Sequence, residues 1–150
     1  MDEIVKKQTE EGLAEIYRNA QLAITSISDV MPSLEECDET LREELIAQHE
    51  AYEQFSARAQ MLARDLEIEL KEPNPMKKVM MWGSIKMSTL TNNSREHIAD
   101  MMLQGTVMGI SALRTTESDY VAENEDEILS LLHEMITSEE EFEKKWKEFL

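Results

Sequence analysis

The chain has one cysteine, three prolines, four glycines and only 5% aromatic residues in 150 positions. A lone Cys37 excludes an intrachain disulfide, and it is the pattern expected of a protein held in a reducing, cytoplasmic compartment. Its neighbours Glu36 and Asp38 disfavour a thiolate, so a nucleophilic role is not expected of it. Few prolines and glycines alongside abundant Glu, Leu, Ala, Met and Ile point to an all-helical protein. Long apolar runs are missing too. The longest uncharged stretch, Met101 to Leu113, contains two glycines and falls short of the ~20 residues that span a bilayer, so a buried core helix is expected there. The first residues, MDEIVKKQTEEG, lack the apolar centre of a secretory signal. Basic residues are scarce: 15 Lys and Arg face 32 Asp and Glu, for a net charge of -17. Such a surface repels phosphate backbones and anionic lipids, so neither nucleic acid nor membrane is an expected partner. An acidic mimic of nucleic acid is conceivable on charge alone, but acidic solvated faces are ordinary in soluble bundles.

What is present reads as one domain of four long amphipathic helices. The first should run from about Asp2 to Val30, with Leu13, Ile16, Ala20, Ala23, Ile27 and Val30 forming one seam, and Pro32 ending it. Ser33 with Glu36 reads as a capping box for the second, whose seam is Leu41, Leu45, Gln48, Tyr52, Phe55, Ala59, Leu62 and Leu66 and which should stop at Pro73. A three-residue connection makes these two an antiparallel hairpin. Asn74 and Pro75 then open a short extra helix carrying Met76, Met80, Gly83, Met87 and Leu90. Asn93 and Glu96 form the next cap pair, before a narrow face of Ile98, Met102, Gly105, Gly109 and Ala112. A polar loop over 115–123 precedes Asn124 and Glu127, which cap a last helix with the seam Leu132, Met135, Glu139, Phe142, Trp146 and Phe149. Four long helices with a short one between the second and third suggest two hairpins joined by a crossover, the ferritin-like arrangement; a plain up-and-down bundle is the alternative.

The stretch from Pro73 to Thr115 stands apart. It holds seven of the 11 methionines, three of the four glycines and Trp82, and its charge is inverted, with Lys77, Lys78, Lys86, Arg95 and Arg114 against Glu96 and Asp100. The residues Asn74-Pro75-Met76, Trp82, Ser84-Ile85-Lys86-Met87, Thr89-Leu90, His97-Ile98-Ala99, Met101-Met102, Gln104-Gly105 and Met108-Gly109-Ile110, with Asn19-Ala20-Gln21 earlier, resemble a group of short uncharacterised bacterial helical proteins. That group is similar in architecture to the ferritin-like superfamily. The resemblance implies a fold and carries no mechanism.

Ferritin-like di-iron proteins use Glu-x-x-His pairs. Here the residues three before His49, His97 and His133 are Ile46, Ser94 and Ser130, so the pattern is missing. Polar residues on the seams are Gln48 and Glu139, and with His97 they form one metal set the sequence suggests. His97, Met101, Gln104 and Met108 share one side of their helix, which offers copper or haem a nitrogen and two thioethers, although a methionine stripe is more often core. Lys86 near Ser84, Thr89 and Trp82 suits an anion. No phosphate loop, nucleophile elbow or paired-cysteine motif is found. The expected function is a non-catalytic bundle acting through protein association, with the Met-rich helices as contact hub and no cofactor. Trp82, Lys86, Met87, His97, Met101, Gln104 and Met108 are its candidate contact residues. Because Met81 and Trp82 lie off the Met76, Met80, Gly83, Met87 face, a homodimer through that second face is expected; an unchanged molar mass of Trp82→Glu in light scattering would exclude it. The alternative is a ferritin-like redox protein holding iron, copper or haem in its core.

Overall fold

The computed structural model describes residues 3–34, 38–73, 92–120 and 127–150. These residues form four long helices: α1 (Glu3–Val30), α2 (Glu39–Asp65), α3 (Arg95–Ser118) and α4 (Glu127–Glu148). Among the described residues there is no strand, and no helix is long and apolar enough to cross a membrane. The expected short helix, with Trp82, Lys86 and Met87, lies outside the described residues, as does Asn124.

Side-chain pairs give the direction of each helix. Gln21 accepts from Ser56 while Ser28 meets His49, so α1 and α2 are antiparallel. Gln8 donates to the Asp119 carbonyl and Asn19 to that of Gly109, which sets α3 antiparallel to α1. Arg58 grips Glu134 through two nitrogens while Tyr52 bonds Glu139, so α4 is antiparallel to α2. Consequently α2 and α3 run in the same direction, and α3 starts at the end of the bundle where α2 also starts, about 40 Å from where α2 stops. A plain up-and-down order, in which successive helices alternate, is thereby corrected.

The seams of α1 and α4 pack as their spacing predicts. Leu13, Ile16, Ile27 and Val30 share the core with Leu132, Met135 and Trp146, and with Leu131, which was not expected there. A fully buried Leu, Ile, Val or Met contributes roughly 1.5–3 kcal/mol. Ala20 is buried too, while Ala23, Phe142 and Phe149 of the expected seams are half-buried. Several boundaries differ from expectation. Pro32 ends α1 within a 3-10 turn, Met31–Ser33, where the Ser33 hydroxyl turns back to the Val30 carbonyl instead of capping the next helix. Asp38 caps α2, accepting from the Leu41 amide, and also binds Arg95 at the start of α3. The Arg95 guanidinium lies 5.3 Å from the Phe149 ring, so this junction ties three helix ends together.

At its other end α2 stops at Asp65, eight residues before the expected Pro73. The Ile68 amide bonds the Ala63 carbonyl and the Glu67 amide that of Arg64, closing a Schellman motif with Glu67 at φ 56°. Leu66, expected on the seam, is exposed as a result. Residues 68–73 then turn back along α1, where Glu72 accepts from Tyr17 at 2.5 Å. Ser94, not Asn93, caps α3 by accepting from the His97 amide, and the helix continues four residues beyond Arg114.

The buried face of α3 is also rotated from the expected one. Ile98, Ala99, Met102, Thr106 and Leu113 are buried, while Gly105 is exposed. Thr106 can enter the core because its hydroxyl satisfies itself on the Met102 carbonyl, and this leaves Gly105 at the edge.

Candidate functional site

Between α1 and α3 the bundle is open. The small residues Ala23, Gly105, Gly109 and Ala112 line a groove of about 1260 Å³ that runs inward as far as Gln48 and Tyr52 of α2 and Glu139 of α4. A Cβ on Gly105 would meet nothing within 4 Å, whereas one on Gly109 would stand 2.9 Å from Asn19 Oδ1 and 3.0 Å from Glu139 Oε1. Gly109 therefore admits the polar groups of two neighbours against its own backbone.

The floor is polar because two seams each carry a polar residue. Glu139 takes an inward position on α4 between Met135 and Phe142, and the helical repeat sets it in the bundle as it would a leucine. Gln48 does the same on α2 between Leu45 and Tyr52. Both are 1% exposed. Tyr52 Oη donates to Glu139 Oε1 at 2.8 Å, and the Tyr52 ring is steadied by Phe142, with centroids 5.5 Å apart. Gln48 Nε2 donates to Glu44 at 2.9 Å. Neither Gln48 Oε1 nor Glu139 Oε2 has a hydrogen-bond partner among the described residues.

Burial dominates the electrostatics of this floor. It lifts the Glu139 carboxyl from 4.5 to about 7, with the Tyr52 hydrogen bond pulling in the opposite direction. Burial and the nearby carboxylate push the Tyr52 hydroxyl well above its ordinary value. Six carboxylates, Glu10, Glu11, Glu15, Glu67, Glu69 and Glu72, outnumber Lys6, Arg18 and Lys71 along the groove. Tyr17, beside Glu72, is pushed up to about 12, by burial first and then by its bond to that carboxylate.

The structure gathers some expected site residues and separates others. Gln48 and Glu139 share the floor, and Met101, Gln104 and Met108 line the α3 wall, with Met108 74% exposed. His97 is elsewhere: twelve residues before Gly109 on a continuous helix, it stands about 18 Å along the axis from the glycine that touches Glu139. The set His97, Gln48, Glu139 is thus not one coordination sphere, and among the described residues no group of three or more His, Cys, Asp or Glu is placed to hold a metal ion. Tyr52 and Asn19 were missed from the sequence as site residues. A signal existed for Tyr52, which follows Gln48 by one helical turn and, once buried, requires a partner for its hydroxyl.

The fold and site define a four-helix bundle with a groove open between two helices and a buried carboxyl at its base. No protein-family model, curated protein or solved structure matches the chain.

Proposed function

We propose that this protein is a non-catalytic helical bundle that works by association and receives its partner molecule in the groove between α1 and α3. The observation that carries this reading is the open space at Gly105, flanked by Met101 and Met108 on a wall with no charged side chain. Methionine side chains are flexible and polarizable, so such a wall adapts to what it holds. Among the described residues the floor carboxyl bonds only the Tyr52 hydroxyl, with no Ser, Cys, His or Lys side chain on it, and this supports binding better than chemistry. The parallel course of α2 and α3 supports a ferritin-like description of the bundle, but the separation of His97 from Glu139 gives no support to the metal chemistry of that superfamily.

The test is to fill the groove without touching the core. Gly105→Phe places a ring where a Cβ meets nothing. Wild-type protein should bind a neutral, environment-sensitive apolar dye at one equivalent, and the variant should lose at least about 10-fold in affinity while keeping its circular dichroism and melting temperature. Equal dye affinity in both proteins refutes the reading.

A further inference from the structure

Building on the groove as a binding site, we infer that its resident occupant is the chain's own residues 74–91, and that a partner competes with them for the α3 wall. The described chain leaves off at one point of the groove and resumes beyond it. Glu72 accepts from Tyr17 at 2.5 Å and from Gln21 at 3.5 Å, and Pro73, which is buried, lines the groove itself. Asn93 then donates to the Ser33 carbonyl at 3.2 Å, past the end of α1. From Gln21 to Ser33 is about 18 Å at the helical rise, and the 18 residues between Pro73 and Asn92 reach about 27 Å at the same rise. One helical pass along α1 therefore joins the two ends. The pairs Gln8 with Asp119 and Asn19 with Gly109 show which part of α3 such a pass meets. Leu22 to Ser26 stand level with Met102 to Thr106, the interval in which a Cβ on Gly105 meets nothing within 4 Å.

Composition places the segment on this wall rather than in water. Met76, Met80, Gly83 and Met87 recur at helical spacing, and a fully buried methionine contributes roughly 1.5–3 kcal/mol. On the wall, Leu22, Ala23 and Met101 are only half-buried and Gly105 is exposed. Charge agrees with shape. Lys77, Lys78 and Lys86 are the segment's only charged residues, and the carboxylates along the groove outnumber its cations. Because both its ends are tethered beside the groove, the segment stands there at an effective concentration on the order of millimolar, which favours it over the same stretch of a second chain. Met80 falls about a third of the way from Pro73 to Asn93, at the level of Ala23 and Gly105.

Thiol pairing in the full chain tests the seating. With Cys37→Ser as background, Met80→Cys and Gly105→Cys should join within one chain under mild oxidation, read by mass spectrometry as loss of both thiols in a monomer. Leu90→Cys in place of Met80→Cys lies about 12 Å farther along α1 and should stay reduced. No closure at position 80, or equal closure at both positions, overturns the seating. A disulfide between chains gives the groove to a second copy and overturns it as well. The neutral apolar dye reads the competition. Met80→Glu with Met87→Glu sets two carboxylates against the acidic groove, so dye affinity should rise at least about 10-fold over wild type, with circular dichroism establishing that the variant is folded. If that variant binds the dye as wild type does while Gly105→Phe still weakens it, the competition is wrong and the groove reading stands. Equal dye affinity in wild type and Gly105→Phe refutes the groove as a binding site, and the competition with it.

Discussion

Replacing Glu139 by glutamine should make the protein more stable at pH 8 and leave it nearly unchanged at pH 4.5. The carboxyl titrates near 7 in the folded chain against 4.5 for an unperturbed glutamate, because the fold removes it from water. Between those values the native state holds a proton that the unfolded chain has released, so stability falls as pH rises. The difference of 2.5 pH units, at 1.36 kcal/mol per unit, amounts to about 3 kcal/mol lost between pH 4.5 and 7. Glutamine fits the same space, accepts from Tyr52 through its oxygen, and never ionises. Urea unfolding of both proteins at pH 4.5, 6, 7 and 8 measures the effect, and the difference between the two curves removes the general self-repulsion of a chain of net charge -17. A gap that opens by about 3 kcal/mol and levels off above pH 7 agrees with the burial of this one group. Parallel curves would show that Glu139 reaches water in the folded protein, and the account of the floor would fail.

Two further substitutions separate packing from propensity. Gly105→Ala should stabilise by about 0.5–1 kcal/mol in thermal unfolding, since its Cβ meets nothing and alanine is the better helix former. Gly12→Ala should instead destabilise by about 1 kcal/mol, because its Cβ would fall 2.9 Å from Ile128 Cγ2, a branched methyl with little freedom to rotate away, and 3.1 Å from the Tyr120 ring. Asp38→Ala should cost about 1 kcal/mol through the lost cap of α2 and free Arg95 from its ion pair, visible as faster amide exchange at Leu41; unchanged exchange there would contradict the cap.

The seams of α1 and α4 were legible because a helical repeat of apolar residues leaves one way to bury them, and Gln48 and Glu139 stood out as polar residues inside that repeat. Boundaries were harder. The run Glu67-Ile68-Glu69-Leu70-Lys71-Glu72 has strong helix formers at every position but Ile68, and the tertiary contacts of Glu72 and the Schellman closure at Glu67 show why α2 stops. The face of α3 was misjudged for a related reason: Thr106 counts as polar in a sequence, but a hydroxyl bonded to its own helix packs like an apolar group. That Tyr52 meets Glu139 across 87 positions could not be read from spacing, since each residue is ordinary within its own helix.

The polar floor also fixes how far one hairpin can slide against the other. Apolar seams tolerate a shift of one turn, about 5.4 Å, because leucine meets methionine or isoleucine at little loss. A one-turn shift of α4 toward the C-terminal end of α2 would carry Glu139 away from Tyr52 to the level of Phe55 and leave a buried carboxyl without its donor, a cost of about 1–3 kcal/mol. Glu139 and Tyr52 thus act as a key against that slip of α4 along α2, at the level where the groove meets the core.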